Sequence, residues 1–433
     1  MTISGFKIGL LSTIAGVAVA GASASHAGGF YLQEQSIRAV GRAFSGEVAD
    51  QGSASLWWNP ASVGGLEGGS AHLGLSAILP KGNVDNVNTL IVRPGQAPQP
   101  VGGEQRSKNP INNGFLPTGA VAYGIAPNVA IGFAVTSPFS FTTNYDSDSW
   151  ARYTADKTRI RTFDFQPSIA VVPVEGLSLG VAANIQYAKA TLSNYLPNLA
   201  PGSADGRLEL KGDGFGYGWS AGAQYSTGPV TLGVSYKSAI KHVLKGSITT
   251  EGLVGNLAPQ NGEQKTSATF NTPWQLNMGA RVRVTDQLTL NGQVVRFGWS
   301  KFDAIYLGAP LNSAIPENYR NTWSFAGGID YDINPAWTVR AGVQRDKSPT
   351  YNGERDARVP DSDRWNIAVG ASHAVSDMFT IDAAANYVLF KDANINRPAA
   401  AYAGSPVQTP IIVDGRLRNA NALVLSIGGR MSF

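Results

Sequence analysis

The stretch Asn421-Ala422-Leu423-Val424-Leu425-Ser426-Ile427-Gly428-Gly429-Arg430-Met431-Ser432-Phe433 decides the fold class. Leu423, Leu425, Ile427, Met431 and Phe433 share one parity, and Ala422, Ser426, Arg430 and Ser432 share the other. A period of two is that of a strand with one apolar face. The pattern recurs upstream. Leu276, Met278, Ala280, Val282 and Val284 oppose Gln275, Asn277, Arg281 and Arg283, and Phe379, Ile381, Ala383, Ala385 and Tyr387 oppose Thr380, Asp382 and Asn386. A soluble sandwich would alternate in the same way, so the choice rests on three other features. Several strands read about twice as long as the five or six residues usual in soluble proteins. Short turns (Pro127-Asn128, Asp286-Gln287, Asn334-Pro335, Ser376-Asp377) alternate with long loops rich in Gly, Pro and Asn. An export signal stands at one end of the chain and a terminal Phe strand at the other. Together these point to a membrane barrel, with the apolar parity toward lipid and the polar parity toward the lumen. Trp274, Trp323, Trp337 and Trp365 near strand ends suit its interfacial girdles.

The N-terminus supplies the export signal. Lys7 precedes the largely apolar Ile8–Ala20, and Gly21 to Ala27 are mostly small residues. Cation, short apolar core and small residues in that order read as a secretory signal peptide over residues 1–27, cleaved after Ala27 or alternatively after Ala24. The run is shorter than the roughly 20 residues of a membrane-spanning helix. No later run is long and apolar enough either, so a membrane-embedded product must be a barrel, in which every backbone group finds a partner.

Composition narrows the chemistry. Of 433 residues only 15% are charged, 50 are Gly and none is Cys; a typical soluble chain is about 25% charged. Disulfide frameworks, Cys-ligated zinc and Cys nucleophiles are excluded. The net charge of +4 comes from 34 basic and 30 acidic residues without a basic run, which gives no footprint for nucleic acid. His72, His242 and His373 fall on separate strands, so no metal site, cofactor or Ser–His pair is expected. Gly218-Trp219-Ser220-Ala221-Gly222 matches a hydrolase pattern, but that motif needs a strand–turn–helix elbow. Here it continues a strand whose glycines alternate with aromatics, read as leaving lumen space beside a lipid face.

Candidate strands fall at 70–79, 114–124, 128–141, 157–172, 176–195, 207–227, 229–248, 264–284, 287–306, 320–333, 336–351, 362–375, 378–394 and 416–433. The expected fold is all-β: a 14-stranded antiparallel transmembrane β-barrel over residues 69–433. Residues 28–68 lack lipid-type alternation and are expected to form an N-terminal hatch, or plug, since a bore this wide is not filled by wall side chains alone. In the third strand Ser137-Pro138-Phe139-Ser140 interrupts an otherwise regular run. Pro has no ladder donor and is confined to edges and bulges, so the wall either kinks here or the strand ends at Ser137.

These residues resemble the FadL-type outer-membrane transporters of long-chain fatty acids and other hydrophobic compounds. The resemblance spans nearly the whole mature chain. It is carried by Gly29-Phe30, Gly41-Arg42-Ala43-Phe44-Ser45-Gly46, Asn59-Pro60-Ala61, Thr272-Pro273-Trp274, Trp299-Ser300-Lys301-Phe302-Asp303 and Tyr319-Arg320-Asn321-Thr322-Trp323. Trp337-Thr338-Val339-Arg340-Ala341-Gly342, Val359-Pro360-Asp361-Ser362-Asp363-Arg364 and the terminal Phe433 complete it. It implies a monomeric barrel in the bacterial outer membrane, in contact with lipid and lipopolysaccharide, with Phe433 read by the barrel-assembly machinery. It also implies a hatch that rearranges near Asn59, Pro60 and Ala61, and a lateral exit at the kink formed by Ser137, Pro138, Phe139 and Ser140. Family members commonly carry Gly where Ser140 stands.

Fatty-acid carriers of this family meet the carboxylate with basic groups near the outer end of the fifth strand and before the tenth. The tenth-strand position is Arg320, as a ligand partner or as a structural partner of nearby carboxylates. The fifth-strand position is Asn194, beside Tyr195, with Lys189 as the nearest alternative cation. The resemblance therefore implies passive uptake of a hydrophobic small molecule, either a long-chain fatty acid or an uncharged or aromatic hydrocarbon. A barrel enzyme and a general porin are the competing classes; no catalytic residue is expected.

Overall fold

The computed structural model describes residues 28–199 and 202–433; the expected signal peptide lies outside the described residues. Fourteen antiparallel strands form the wall: β1 (Gly69–Asn86), β2 (Gly114–Ala126), β3 (Val129–Thr136, resumed as Ser140–Asn144), β4 (Lys157–Val174), β5 (Leu177–Leu196), β6 (Gly206–Thr227) and β7 (Val230–Lys237, resumed as Lys241–Glu251). They continue as β8 (Gly262–Asn271, resumed as Trp274–Arg283), β9 (Leu288–Gly298), β10 (Thr322–Asn334), β11 (Trp337–Asp346), β12 (Arg364–Ala374), β13 (Phe379–Phe390) and β14 (Gly415–Ser432). The sheet closes where β1 pairs with β14, from Ser70↔Ser432 to Asn86↔Gly415. Phe433 completes the seam, its N–H donating to the Gly69 carbonyl at 2.9 Å.

The alternation read from sequence is the inside–outside pattern of this wall. Leu423, Leu425 and Ile427 are exposed on the outer face, while Ala422, Val424 and Ser426 are buried toward the bore. β1 runs past Pro80 to Asn86, longer than its sequence pattern suggested. A register shift between Lys81 and Asn83 absorbs the Pro80–Gly82 irregularity, as a bulge does. β11 stops at Asp346 rather than 351, because Ser348, Thr350 and Asp361 bond among themselves in the outer loop.

Residues 28–68 fold inside the bore as one short helix, α1 (Ile37–Gly41), and three 3-10 turns at Glu47–Ala49, Ser53–Ser55 and Pro60–Val63. Asn59 caps the last turn: its Oδ1 accepts from the Ala61 N–H at 3.0 Å, while its Nδ2 donates to the Val48 and Ala223 carbonyls at 2.8 and 3.2 Å. Glycine on the inner wall makes room for this close approach. A Cβ at Gly180 would sit 2.4 Å from the Ala61 nitrogen, and one at Gly222 would sit 2.0 Å from Asn59 Oδ1. A buried ion network pins the hatch to the wall. Arg42 binds Glu47, Asp50 (2.5 Å) and Asp330 on β10 (2.9 Å). Arg281 on β8 and Arg340 on β11 also reach Asp330, at 2.9 and 3.1 Å.

Candidate functional site

Two irregularities of the wall face the hatch and the bore. Thr136 pairs with Asp164 and Ser140 with Arg161, so Ser137, Pro138 and Phe139 stand against only Phe163 and Thr162. This is a bulge of one residue, and the strand resumes beyond it rather than ending at Ser137. On the other side of β3 the ladder to β2 ends at Gly119↔Val135. Gly114 to Thr118 pair with β1 alone. On this side β3 is next joined by the segment before β2, at the Ile111↔Thr143 bridge, where Asn112 N–H donates to the Thr142 carbonyl at 3.0 Å and Asn144 N–H to the Pro110 carbonyl at 2.8 Å. A stretch of wall between β2 and β3 therefore lacks its ladder. Pro117 on that margin has no N–H to leave unpaired. From inside, the hatch covers the break: Leu32 N–H donates to the Pro138 carbonyl at 2.7 Å, and Ser140 N–H donates to the Phe30 carbonyl at 3.1 Å. Phe139 lies 5.8 Å from Phe30 and 5.6 Å from Tyr31, ring to ring. Ser140 Oγ lies 2.9 Å from Ser137 Oγ, a hydrogen bond across the bulge.

The second irregularity lies between β6 and β7. The register runs up to Ser220↔Lys237 and restarts at Asp213↔Lys245, leaving seven residues of β7 against six of β6. The surplus buckles inward. Ile240 lies over the inner face of Gly216 and Gly218, where a Cβ would sit 2.6 and 2.7 Å from it. The alternating glycines of β6 thus make room for β7 rather than for lumen space, a correction to the sequence reading. His242 stacks on Phe270 at 5.2 Å and bonds Gln186 at 3.0 Å. Ser220 sits mid-strand, donating to Asn184 Oδ1, without the elbow a hydrolase needs.

Three spaces are stacked down the bore. Outermost is a groove of about 1670 Å³ among the loops, lined by Leu196, Leu208, Ile248, Leu307, Arg358 and Arg397. Below it lies an apolar chamber of about 460 Å³ lined by Ile160, Ala190, Leu244, Phe270, Phe302 and Ile305; Leu192 and Leu210 border both spaces. Lys211 also borders the chamber, but its amine pairs with Glu209. Lowest is a compartment of about 290 Å³ between the kink residues Pro138 and Phe139 and the hatch residue Trp57. The apolar lining of the groove and the chamber suits a hydrophobic ligand.

The residues singled out from sequence do not converge. Asn194 lines the outer groove, but Lys189 is exposed on the outer wall, at the opposite parity to Ala188 and Ala190. Tyr195 packs half-buried against the cluster around Trp150. Arg320 is exposed, 5.4 Å from the Tyr351 ring, in a separate polar pocket with Arg355, Asp363 and Lys391. The cation that reaches Asn194 is Arg358, whose Nη2 donates to Asn194 Oδ1 at 3.1 Å. It comes from the loop after β11, where no periodicity marks it. Arg358 and Arg397 differ electrostatically. Burial draws Arg358 below the ordinary guanidinium value, with Asp356 at 4.0 Å only partly opposing it. Burial acts on Arg397 in the same sense, but Asp356 at 2.8 Å and Glu317 at 3.0 Å lift it above that value. Arg358 is thus the less fully paired cation over the apolar groove.

Residues 18–433 match the family model described as outer membrane protein transport protein (OMPP1/FadL/TodX). The long-chain fatty acid transport protein of Escherichia coli O6:H1 is 25% identical over 83% of this chain and 86% of its own. A Pseudomonas aeruginosa FadL homologue of known structure superposes with a TM-score of 0.83 at 24% identity, covering 94% of this chain and all of the other. The Ralstonia pickettii toluene transporter TbuX superposes at 0.65 and 18% identity, over 92% of this chain and 98% of that one.

Proposed function

The chain belongs to the OMPP1/FadL/TodX family of outer-membrane transport proteins, and on that premise we propose that it takes up long-chain fatty acids by lateral diffusion. The observation that carries the reading is Arg358, an under-paired cation beside Asn194 at the rim of an apolar groove that continues into an apolar chamber. A carboxylate at that rim gains a charge-assisted hydrogen bond, while its chain gains about 0.8 kcal/mol for each CH₂ removed from water. Movement past the hatch to the unpaired margin between β2 and β3 delivers the chain to lipid without crossing water. A second reading, uncharged or aromatic hydrocarbons, is favoured by the inner chamber, where the one charged lining residue, Lys211, has an exposed side chain paired with Glu209.

The test is uptake of labelled oleate by cells lacking their own fatty-acid porin and expressing this chain, with labelled toluene in parallel. Oleate uptake above empty vector that is lost when Pro138 is deleted, restoring equal residues across β3 and β4, supports the route. Toluene uptake without oleate uptake at equal folded barrel selects the second reading.

A further inference from the structure

The lowest compartment is not apolar like the chamber above it. Asp164, Asn184, Gln186, Lys237 and Gln275 all line it. Lys237 is buried, and a buried ammonium is retained where something compensates its lost hydration. Its partners are all neutral: Gln166 Oε1 at 2.9 Å, Ser220 Oγ at 3.4 Å, and the face of Trp57 at 4.5 Å. The carboxylate of Asp164 is separately satisfied by amides, both of its oxygens accepting from Asn184 Nδ2 at 3.1 Å and one from Gln186 Nε2 at 3.3 Å. The charges are thus each dressed in neutral groups instead of meeting directly. Two further buried polar atoms on the lining have no hydrogen-bond partner, Trp57 Nε1 and Gln275 Oε1. Pro138 and Phe139 of the kink form another part of the lining, and Ile240 of the β7 buckle another.

We infer that this compartment is a second ligand subsite, which takes the carboxylate head of an aliphatic acid beside the break in the wall. Lys237 is the cation that receives it, and Trp57 Nε1–H is the second donor. The carboxylate supplies the direct ion-pair partner that Lys237 lacks, and the attached chain lies along Phe139 and Pro138. Asp164 repels a carboxylate, but its three amide contacts leave it directed at Asn184 and Gln186 rather than at the incoming head. The inference rests on the lateral route proposed above, for which the subsite is a station at the exit. It makes Lys237 a specificity-determining residue that separates acids from neutral compounds of equal length.

The experiment titrates the purified, folded barrel with octanoate and with octanol by calorimetry. Heat-modifiable migration of the intact barrel certifies folding of each variant. For Lys237→Met, octanoate affinity is expected to fall about tenfold, the scale of one charge-assisted hydrogen bond, while octanol affinity stays within about twofold. Lys237→Arg is expected to retain octanoate binding. Equal loss of octanol, unchanged octanoate affinity in Lys237→Met, or no octanoate binding by the natural chain each overturns the subsite. The transport reading is scored separately in cells. Octanoate binding through Lys237 without oleate uptake leaves the subsite standing and removes the route. Oleate uptake with unchanged Lys237→Met binding does the reverse.

Discussion

Replacing Arg42 by Met tests whether the hatch is held by its ion network. The guanidinium is almost completely buried and serves three carboxylates: Glu47, Asp50 and Asp330. Two of these keep other cations after the change. Asp50 retains Arg38 at 3.3 Å and Arg281 at 3.2 Å, and Asp330 retains Arg281 at 2.9 Å and Arg340 at 3.1 Å. Glu47 keeps only the Ser55 hydroxyl at 2.9 Å. The cost is therefore that of stranding one buried carboxylate, about 3–5 kcal/mol for a broken buried pair. Carried entirely by the hatch, this raises the population of the displaced hatch from about 10²-fold to about 4 × 10³-fold, at 1.4 kcal/mol per decade. Single-channel conductance in planar bilayers reads the displaced state directly, with brief openings expected in Arg42→Met and rare ones in the natural chain. Arg42→Met combined with Glu47→Gln removes the stranded charge and should recover most of the closed state. A silent Arg42→Met channel, or a double variant as leaky as the single one, refutes the reasoning.

Other outcomes follow from single contacts. Gly222→Ala places a Cβ 2.0 Å from Asn59 Oδ1. It should destabilise the hatch turn by about 1–3 kcal/mol through overpacking, seen as faster hydrogen exchange over Asn59–Val63. Arg358→Ala should lower oleate uptake by about tenfold, the scale of one lost charge-assisted bond, and leave toluene uptake unchanged in the same cells. Glu34 on the hatch is pushed up to about 7 by burial, with Arg364 only partly opposing. Its folded value lies above its unfolded one, so its contribution to hatch stability is whole below about pH 4.5, the unfolded value. That contribution is lost as pH rises toward 7 and is constant beyond. Conductance should accordingly increase between pH 5 and 7, and Glu34→Gln should flatten the profile.

Barrel architecture is legible in the chain because it rests on local periodicity. Each strand must present one face to lipid and one to the bore, so Leu423, Leu425 and Ile427 announce their side without any knowledge of their neighbours. The interruption at Ser137-Pro138-Phe139 was visible for the same reason, since a residue without a ladder donor marks its own position. The hatch was visible as missing alternation. What the sequence could not supply was which loop returns to which groove. Arg358 reaches Asn194 from a point 164 residues away, a relation set by loop closure and charge compensation rather than by pattern. Lys189 shows the converse: near Asn194 in sequence, it faces outward because the pleat reverses direction at every residue. The buckle of β7 belongs to the same class. The glycines at 212, 214, 216 and 218 declare that something comes close, but only the register of β6 against β7 decides that Ile240 covers Gly216 and Gly218 while Val243 and Leu244 approach Gly214 and Gly212. The periodic hydrophobic effect along each strand determined the wall, and long-range packing inside that wall determined where the charges and spaces lie.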